Sequence, residues 1–261
     1  MNSNNPFDQF DIEHLSASSI NLFMQDIPLF IVRYLAKHKA PTNPAMLRGT
    51  VIDHAIGNMD KYPNTSVEQA QDEFKALLNY NKKQGIVFDE EKAESEYNNI
   101  EKYLDVGLPF YKDFGEPVSY QEKVILQFED LPIDIIGYVD LEYKDCIRDI
   151  KTTAKTPKLT PQVSRQLAIY STALDKPAFA DYLYVAKTKQ EVVTFEVEDV
   201  DARINEVYRV ALAMMNLLQN NDINSLVEQF YPDMTSFMWD QSSIEVAKEL
   251  WRIKWNQIMN W

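Results

Sequence analysis

The sequence predicts an α/β fold in which a central mixed β-sheet is flanked by helices. From Val118 onward apolar residues alternate with polar ones through three consecutive segments, as in half-buried strands. Before and after this region apolar residues recur every three or four positions, as in helices packed along one side. Apolar residues make up 45% of the chain, and only 6 glycines and 12 prolines interrupt it. This composition suits a sizeable core and long helices.

The helices ahead of the strands are predicted from apolar periodicity and cap residues. Ser16 and Ser18 are N-cap residue types at the start of a periodic segment, and Pro28 should kink that segment or divide it into two helices. Further helices are predicted at 45–58, 66–80 and 89–112. The last two are polar and acidic, so we expect a helical insertion at about 60–115.

The strands and the remaining helices complete a single predicted domain over residues 1–261. The predicted strands are 118–128, 133–142, 146–152, 178–187 and 191–197. Thr160 and Pro161 open a helix that runs to Leu174, with Pro at the tolerated first position. The chain after Val200 is predicted to be a helical extension, about 199–261. The order of helix, three strands, helix and strand indicates one α/β domain.

Cysteine content and hydropathy exclude several classes of protein. The one cysteine, Cys146, cannot build a disulfide framework or an iron-sulfur cluster. No apolar stretch reaches the roughly 18 residues of a membrane span, and the amino terminus lacks the pattern of a signal peptide. We therefore expect a cytoplasmic protein without a membrane partner.

The charge distribution contains two basic islands in an acidic chain. The net charge of −14 disfavours a polyanionic partner for the molecule as a whole. Residues 27–52 nevertheless contain no acidic residue, and residues 144–166 carry six basic residues and two acidic ones. Such islands are solvated faces or contacts for phosphate groups, and the sequence alone leaves both readings open.

Two carboxylates are predicted to face each other across a β-hairpin. If residues 143–146 form the turn, Asp140 lies opposite Asp149, and Lys151 lies on the same face as Asp149. Two carboxylates about 5 Å apart repel by roughly 3 kcal/mol at an effective dielectric constant of about 20. A cation such as Mg²⁺ or Mn²⁺ would offset this repulsion. The alternatives are a register shifted by one residue and a solvated pair at a strand end.

Further polar residues are predicted near this hairpin. Glu122 falls on the apolar face of its strand, where an uncompensated carboxylate is costly, and a hairpin register brings it opposite Val139 or Asp140. Gln166 and Tyr170 lie four residues apart on one face of the following helix. Tyr170 also fits a simple core position there.

Together these motifs resemble the RecB-like branch of the PD-(D/E)XK nucleases, especially phage-encoded exonucleases. The shared motifs are Gly137-x-x-Asp140, Asp149-x-Lys151 and Gln166-x-x-x-Tyr170, together with the segment Leu15 to Ile20 followed by Pro28. They cover roughly residues 15–60 and 118–187. The resemblance implies a restriction-endonuclease-like αβββαβ core. It also implies a metal-dependent deoxyribonuclease.

The resemblance also implies roles for individual residues. Asp140, Asp149 and the Ile150 carbonyl would bind Mg²⁺ or Mn²⁺, Lys151 would orient or polarise the attacking water, and Glu122 matches an acidic position that members often carry. The first motif of the family places His or Glu four residues after a Gly. Here Asp53 has that spacing from Gly49 and His54 follows it, so either could face the metal. The implied nucleic-acid contacts are Gln166, Tyr170, Arg165, Lys155, Arg48, Ser16 and Ser18.

The function implied is an exonuclease acting in phage or cellular DNA recombination, repair or degradation, in a bacterial or phage-infected host cytoplasm. Its partners would be DNA and a divalent metal, with a recombinase or single-strand-binding protein as a further candidate. No iron-sulfur cluster is expected. Two alternatives are a catalytically silent DNA-binding module and a structure-specific endonuclease on the same scaffold. The oligomeric state stays open.

Overall fold

The computed structural model describes residues 5–59 and 67–252. The chain divides into two compact units. One comprises Met1–Pro41, Ile125–Ile136 and Ala202–Trp261, and the other comprises Thr42–Val124 and Gly137–Asp201. Because each unit combines distant segments of the chain, this division does not test the prediction of a single domain.

The first unit is mainly helical. Its amino-terminal helices are α1 (Ala17–Gln25) and α2 (Ile27–Phe30), followed by a π-helical turn at Ile31–Leu35. Ser16 caps α1 in a reciprocal arrangement with Ser19, and Pro28 lies in the first turn of α2, so the predicted segment is divided.

The carboxy-terminal segment of the first unit is also helical. Its helices are α7 (Val200–Gln219), α8 (Ile223–Gln229) and α9 (Gln241–Leu250). The first two residues of α7, Val200 and Asp201, are assigned to the second unit, and the rest of the helix is assigned to the first. The predicted helical extension is thus helical over these ranges, and residues 253–261 lie outside the described part of the chain.

The second unit contains the predicted insertion and most of the sheet. Its helices are α3 (Pro44–Gly57), α4 (Val67–Lys83) and α5 (Glu90–Lys112), with Asn43 and Asp89 as the N-caps of α3 and α5. Within the range predicted as a helical insertion, about 60–115, the structure has the two helices α4 and α5. Residues 60–66 lie outside the described residues.

The sheet contains five strands in sequence order. They are β1 (Ser119–Leu126), β2 (Ile135–Glu142), β3 (Ile147–Thr153), β4 (Ala178–Val185) and β5 (Gln190–Glu196). The β2–β3 and β4–β5 pairs are antiparallel, whereas β3 and β4 are parallel and are connected through α6 (Pro161–Leu174). This mixed sheet with flanking helices confirms the predicted fold class.

Apolar side chains of α3, α5 and the sheet form the core of the second unit. Val51, Ile52, Ile100 and Leu183 are completely buried in it. The sheet also holds a buried ion pair, in which the Arg148 guanidinium lies 2.6 Å from Asp181. Tyr111 and Thr194 donate hydroxyl hydrogen bonds to the same Asp181 carboxylate. Every oxygen of this buried carboxylate thus has a donor, which such burial requires.

Among the residues that the structure describes, no helix is both long enough and apolar enough to cross a bilayer.

Candidate active site

The hairpin of β2 and β3 has the register predicted from the sequence. Glu142 pairs with Ile147 and Leu141 with Arg148, and the Tyr143 N–H donates to the Cys146 carbonyl at 2.8 Å across the turn. Further from the turn, a side chain of β2 bonds to the main chain of β3. There Asp140 Oδ2 accepts a hydrogen bond from the Ile150 N–H at 2.8 Å.

Asp149 lies buried on β3, with two side chains directed at its carboxylate. It is 1% exposed, its Oδ2 atom is 2.5 Å from Lys151 Nζ, and its Oδ1 atom accepts a hydrogen bond from Gln166 Nε2 at 3.2 Å. The alternation of strand β3 brings Lys151 to the same side as Asp149. The structure thus brings together the two halves of the Asp-x-Lys motif and the glutamine of α6.

The environment of this cluster disfavours the charged form of its carboxylates. Burial raises the pKa of Asp140 well above its ordinary value, and the nearby Asp149 and Asp53 carboxylates raise it further. Burial likewise raises the pKa of Asp149, although Lys151 opposes the shift. Burial would lower the pKa of Lys151, but Asp149 and Asp140 outweigh it and raise that pKa, so the ammonium keeps its proton at neutral pH.

The structure separates the two candidates of the first motif. Asp53 Oδ2 accepts hydrogen bonds from the Tyr120 hydroxyl and from Gln121 Nε2, each at 2.9 Å. Its charge also raises the pKa of Asp140, so Asp53 belongs to the carboxylate cluster. His54 turns away, because its Nδ1 atom lies 2.6 Å from Glu73 Oε1 on α4.

Glu122 does not join the cluster, and its neighbour Gln121 does. Gln121 has a left-handed backbone (φ 55°), which breaks the alternation on which the prediction for Glu122 rested. Glu122 is exposed as a result, and the prediction that it converges with Asp140 is wrong. Gln121 Nε2 instead donates both to Asp53 Oδ2 at 2.9 Å and to Asp140 Oδ1 at 3.2 Å.

Tyr120 and Gln121 are therefore site residues that the sequence reasoning missed. Tyr120 lies in the predicted strand 118–128, where the alternation of apolar residues gives no sign that its hydroxyl contacts Asp53. Its ring packs against α3 at Gly57, where an added Cβ would lie 2.0 Å from the ring. The glycine at the end of α3 was the one available signal that a large side chain passes there.

The Gln-x-x-x-Tyr motif of α6 supports the cluster from the side. Thr160 caps α6, and Gln166 Nε2 lies 2.8 Å from the Tyr170 hydroxyl as well as contacting Asp149. Tyr170 is 5% exposed, and burial followed by the charge of Asp149 raises its pKa to about 12. A phenol so enclosed does not line an open groove, so the structure contradicts the implied contact between Tyr170 and nucleic acid.

Both arginines that were predicted to contact nucleic acid are also buried. Arg48 is 7% exposed, because it forms an ion pair with Glu96, donates to Thr152 Oγ1 at 3.0 Å and stacks on a tyrosine ring. Arg165 is 5% exposed. A buried guanidinium is inaccessible to a phosphate, and that of Arg48 is also paired with Glu96, so the predicted contacts of Arg48 and Arg165 are wrong.

The remaining residues that were predicted to contact nucleic acid are at least partly accessible to solvent. Lys155 is exposed in the segment that follows β3, and Ser18 is exposed in the first turn of α1. Ser16 is half-buried as the N-cap of α1. Lys158, in the same segment as Lys155, is exposed as well. The basic island of residues 144–166 thus presents a lysine-bearing segment directly after the strand of Asp149 and Lys151.

The comparison with protein families decides the identity of this arrangement. The model of the PD-(D/E)XK nuclease superfamily matches residues 14–229. The chain belongs to this superfamily. The match spans the nuclease from the segment before α1 to the end of α8, so it includes every motif of the cluster. Members of the superfamily generally use divalent metal ions.

One solved structure supports the fold. A crystal structure from Eubacterium rectale, of a protein named provisionally as an exonuclease, has a TM-score of 0.54 and 14% identity, over 84% of this chain and 86% of that one. The crystal structure of SSO0001 has a TM-score of 0.35 and 12% identity, over 80% of this chain and 92% of that one, and this score is too low to carry an argument. No curated protein sequence matches the chain.

The residues of the cluster suit the metal chemistry of the nuclease superfamily. Asp53 Oδ1 is a buried carboxylate oxygen that has no hydrogen-bond partner among the described residues. Asp140 and Asp149 add buried carboxylates whose mutual repulsion a cation would relieve, and oxygen donors are what hard divalent cations prefer. Within residues 5–59 and 67–252, however, no three His, Cys, Asp or Glu side chains form a ready-made metal cage. Any bound ion would thus need ligands beyond these side chains.

Proposed function

We propose that the protein is a divalent-metal-dependent DNA exonuclease that hydrolyses phosphodiester bonds. The observation that carries this proposal is the convergence of Asp140, Asp149 and Lys151 on one face of the β2–β3 hairpin. Asp140 and Asp149 are buried, and the charge of Asp149 raises the pKa of Asp140. Two such carboxylates beside a protonated lysine suit a site that binds a cation and a phosphate group together.

The proposed metal ligands are Asp140, Asp149, Asp53 and the carbonyl of Ile150. A bound cation supplies two effects, polarisation of the scissile phosphate and a lower pKa of a coordinated water. Lys151 holds its proton at neutral pH and is therefore placed to stabilise the charge that develops on the phosphate oxygens. Gln166 orients Asp149 through its 3.2 Å hydrogen bond, which fixes the carboxylate in the direction of the site.

The DNA backbone is proposed to contact the lysines that follow β3. Lys155 and Lys158 are exposed and lie four and seven residues after Lys151, so they extend the positive charge outward from the cluster. Contacts of this type bind phosphates without reading sequence, as digestion from an end requires. The provisional exonuclease name of the E. rectale structure adds support for exonuclease action. Work in phage or cellular DNA recombination, repair or degradation, with a recombinase or single-strand-binding partner, belongs to the same proposal.

The test compares DNA with and without ends. Purified protein is incubated with end-labelled linear DNA and with a covalently closed circle of the same sequence, each with Mg²⁺ and with EDTA. We expect loss of the linear form alone, and only with Mg²⁺. Cutting of the circle would replace the exonuclease proposal with an endonuclease. Binding without any cutting would favour the silent DNA-binding module.

A further inference from the structure

Gln121 occupies an unusual place, between two carboxylates of the site. Its Nε2 atom lies 2.9 Å from Asp53 Oδ2 and 3.2 Å from Asp140 Oδ1. Both neighbours are carboxylate oxygens, so the amide nitrogen and not the amide oxygen faces them. The two N–H groups of one side-chain amide thus connect an aspartate of α3 to an aspartate of β2.

The backbone is bent to bring this amide into place. Gln121 adopts a left-handed conformation (φ 55°), which costs a residue other than glycine about 1 kcal/mol. The preceding Tyr120 contacts the same Asp53 oxygen at 2.9 Å, and its ring is held against Gly57. Adjacent residues of a regular strand point to opposite faces, so only this bend allows both side chains to reach Asp53.

The amide determines which carboxylate oxygens are left for a cation. Asp53 Oδ2 and Asp140 Oδ1 accept its N–H groups, and Asp140 Oδ2 accepts the Ile150 N–H. Asp53 Oδ1 has no such partner among the described residues. Tyr120 and the amide together fill both lone pairs of Asp53 Oδ2, whereas each oxygen of Asp140 accepts one hydrogen bond and keeps one lone pair for a first cation. A second cation between Asp53 Oδ2 and Asp140 Oδ1 would have to displace the amide.

We propose that Gln121 is a positioning residue that restricts the site to a single divalent cation. Its amide links Asp53 to Asp140 and keeps the oxygens between them from holding a second ion of a two-metal pair. A glutamate at this position would have the same shape, would accept instead of donate, and would supply a further ligand. This inference rests on the proposed metal dependence of the site.

The experiment is a calorimetric titration of the full chain with Mn²⁺ alone, in the absence of DNA. The variants are Gln121→Glu, Gln121→Met and the matched control Gln190→Glu, which makes the same charge change at an exposed residue of β5. We expect one Mn²⁺ per chain for the wild type and for Q190E, and two for Q121E. Q121M lacks both donors and adds no charge, so it should bind its first Mn²⁺ about 10-fold more weakly.

The outcomes separate this inference from the proposed function. Two Mn²⁺ on the wild type, or one on a folded Q121E, would overturn the inference and leave the nuclease proposal standing. Wild-type affinity in Q121M would overturn the positioning role. If Q121E fails to fold, as judged by circular dichroism, the affinity of Q121M decides. A wild type that binds no Mn²⁺ would overturn the proposed metal dependence and the inference with it.

Discussion

The Oδ2 atom of Asp140 accepts a hydrogen bond from the backbone N–H of Ile150 at 2.8 Å. The main chains of β2 and β3 pair at the two positions next to the turn, and beyond them this carboxylate takes the place of a main-chain acceptor. The position of Asp140 is therefore set by the neighbouring strand as well as by its own. A side chain held in this way is positioned before any ligand binds. Its negative charge is destabilised by repulsion from Asp149 and Asp53.

Replacing that charge should separate activity from stability. Asp140→Asn keeps an oxygen that can accept the Ile150 N–H, loses the hydrogen bond from Gln121, and removes the larger repulsion with Asp149 and Asp53. We expect cleavage to be lost, while the free energy of unfolding in EDTA rises by about 1 kcal/mol. Urea denaturation measures the second effect. Asp145→Asn, in the exposed turn, is the control, and a D140N variant less stable than the wild type would contradict the argument.

Removing the lysine should slow cleavage strongly and make stability depend on metal. Lys151→Ala removes the ammonium 2.5 Å from Asp149 Oδ2, and we expect cleavage to slow by about 10²- to 10³-fold while DNA is still bound. The buried Asp149 then lacks its cation, so the melting temperature should fall in EDTA and recover with Mg²⁺. Lys144→Ala, in the exposed turn, should change neither property. Cleavage at the wild-type rate would exclude Lys151 from the mechanism.

Breaking the buried ion pair of the sheet should destabilise the protein because it leaves one charge buried without a partner. Asp181→Ala leaves the Arg148 guanidinium, 2.6 Å away in the wild type, buried without its carboxylate. We expect a loss of about 3–5 kcal/mol in the free energy of unfolding. The double variant Arg148→Met with Asp181→Leu removes both charges and should recover most of that loss. A double variant as unstable as D181A would show that the pair itself, and not the orphaned charge, supplies the stability.

The N-terminus of α9 should lose stability in acid. Arg33, Ser242 and Ser243 hold Asp240, and together they lower its pKa from 3.8 to about 2 despite burial. A lowered carboxyl pKa adds stability at pH values above the unfolded value near 3.8, and this stability is lost as the pH falls through about 2. We therefore expect Asp240→Asn to cost about 1 kcal/mol at neutral pH and little near pH 2. Denaturant titrations at the two pH values test this, and an equal cost at both would contradict it.

The hairpin register could be predicted because it depends on one local feature. Once residues 143–146 form the turn, the opposition of Glu142 and Ile147 follows by counting, and the structure has that pairing. The Pro28 interruption and the caps at Ser16 and Thr160 were equally local. Signals carried within a few residues of sequence were thus read correctly.

The errors came from features that sequence spacing does not encode. Glu122 was misplaced because Gln121 takes a left-handed backbone conformation. Glycine is the residue type that usually indicates this conformation, and the position holds a glutamine. Arg48 and Arg165 were assigned to DNA from a charge count, which carries no information about burial. The choice between Asp53 and His54 depended on the rotation of α3, which is fixed by distant partners such as Tyr120 and Glu73.

The glycine of the Gly-x-x-Asp motif lies directly beneath the tyrosine of the Gln-x-x-x-Tyr motif. A Cβ at Gly137 would lie 2.3 Å from the ring of Tyr170, so a ring and a bare backbone share one space. The two sequence signatures are thus one steric unit split between a strand and a helix. In evolutionary terms neither position is free to change first, because a larger residue at 137 is tolerated only after the ring at 170 has shrunk. Among relatives, the two positions should therefore change as a pair.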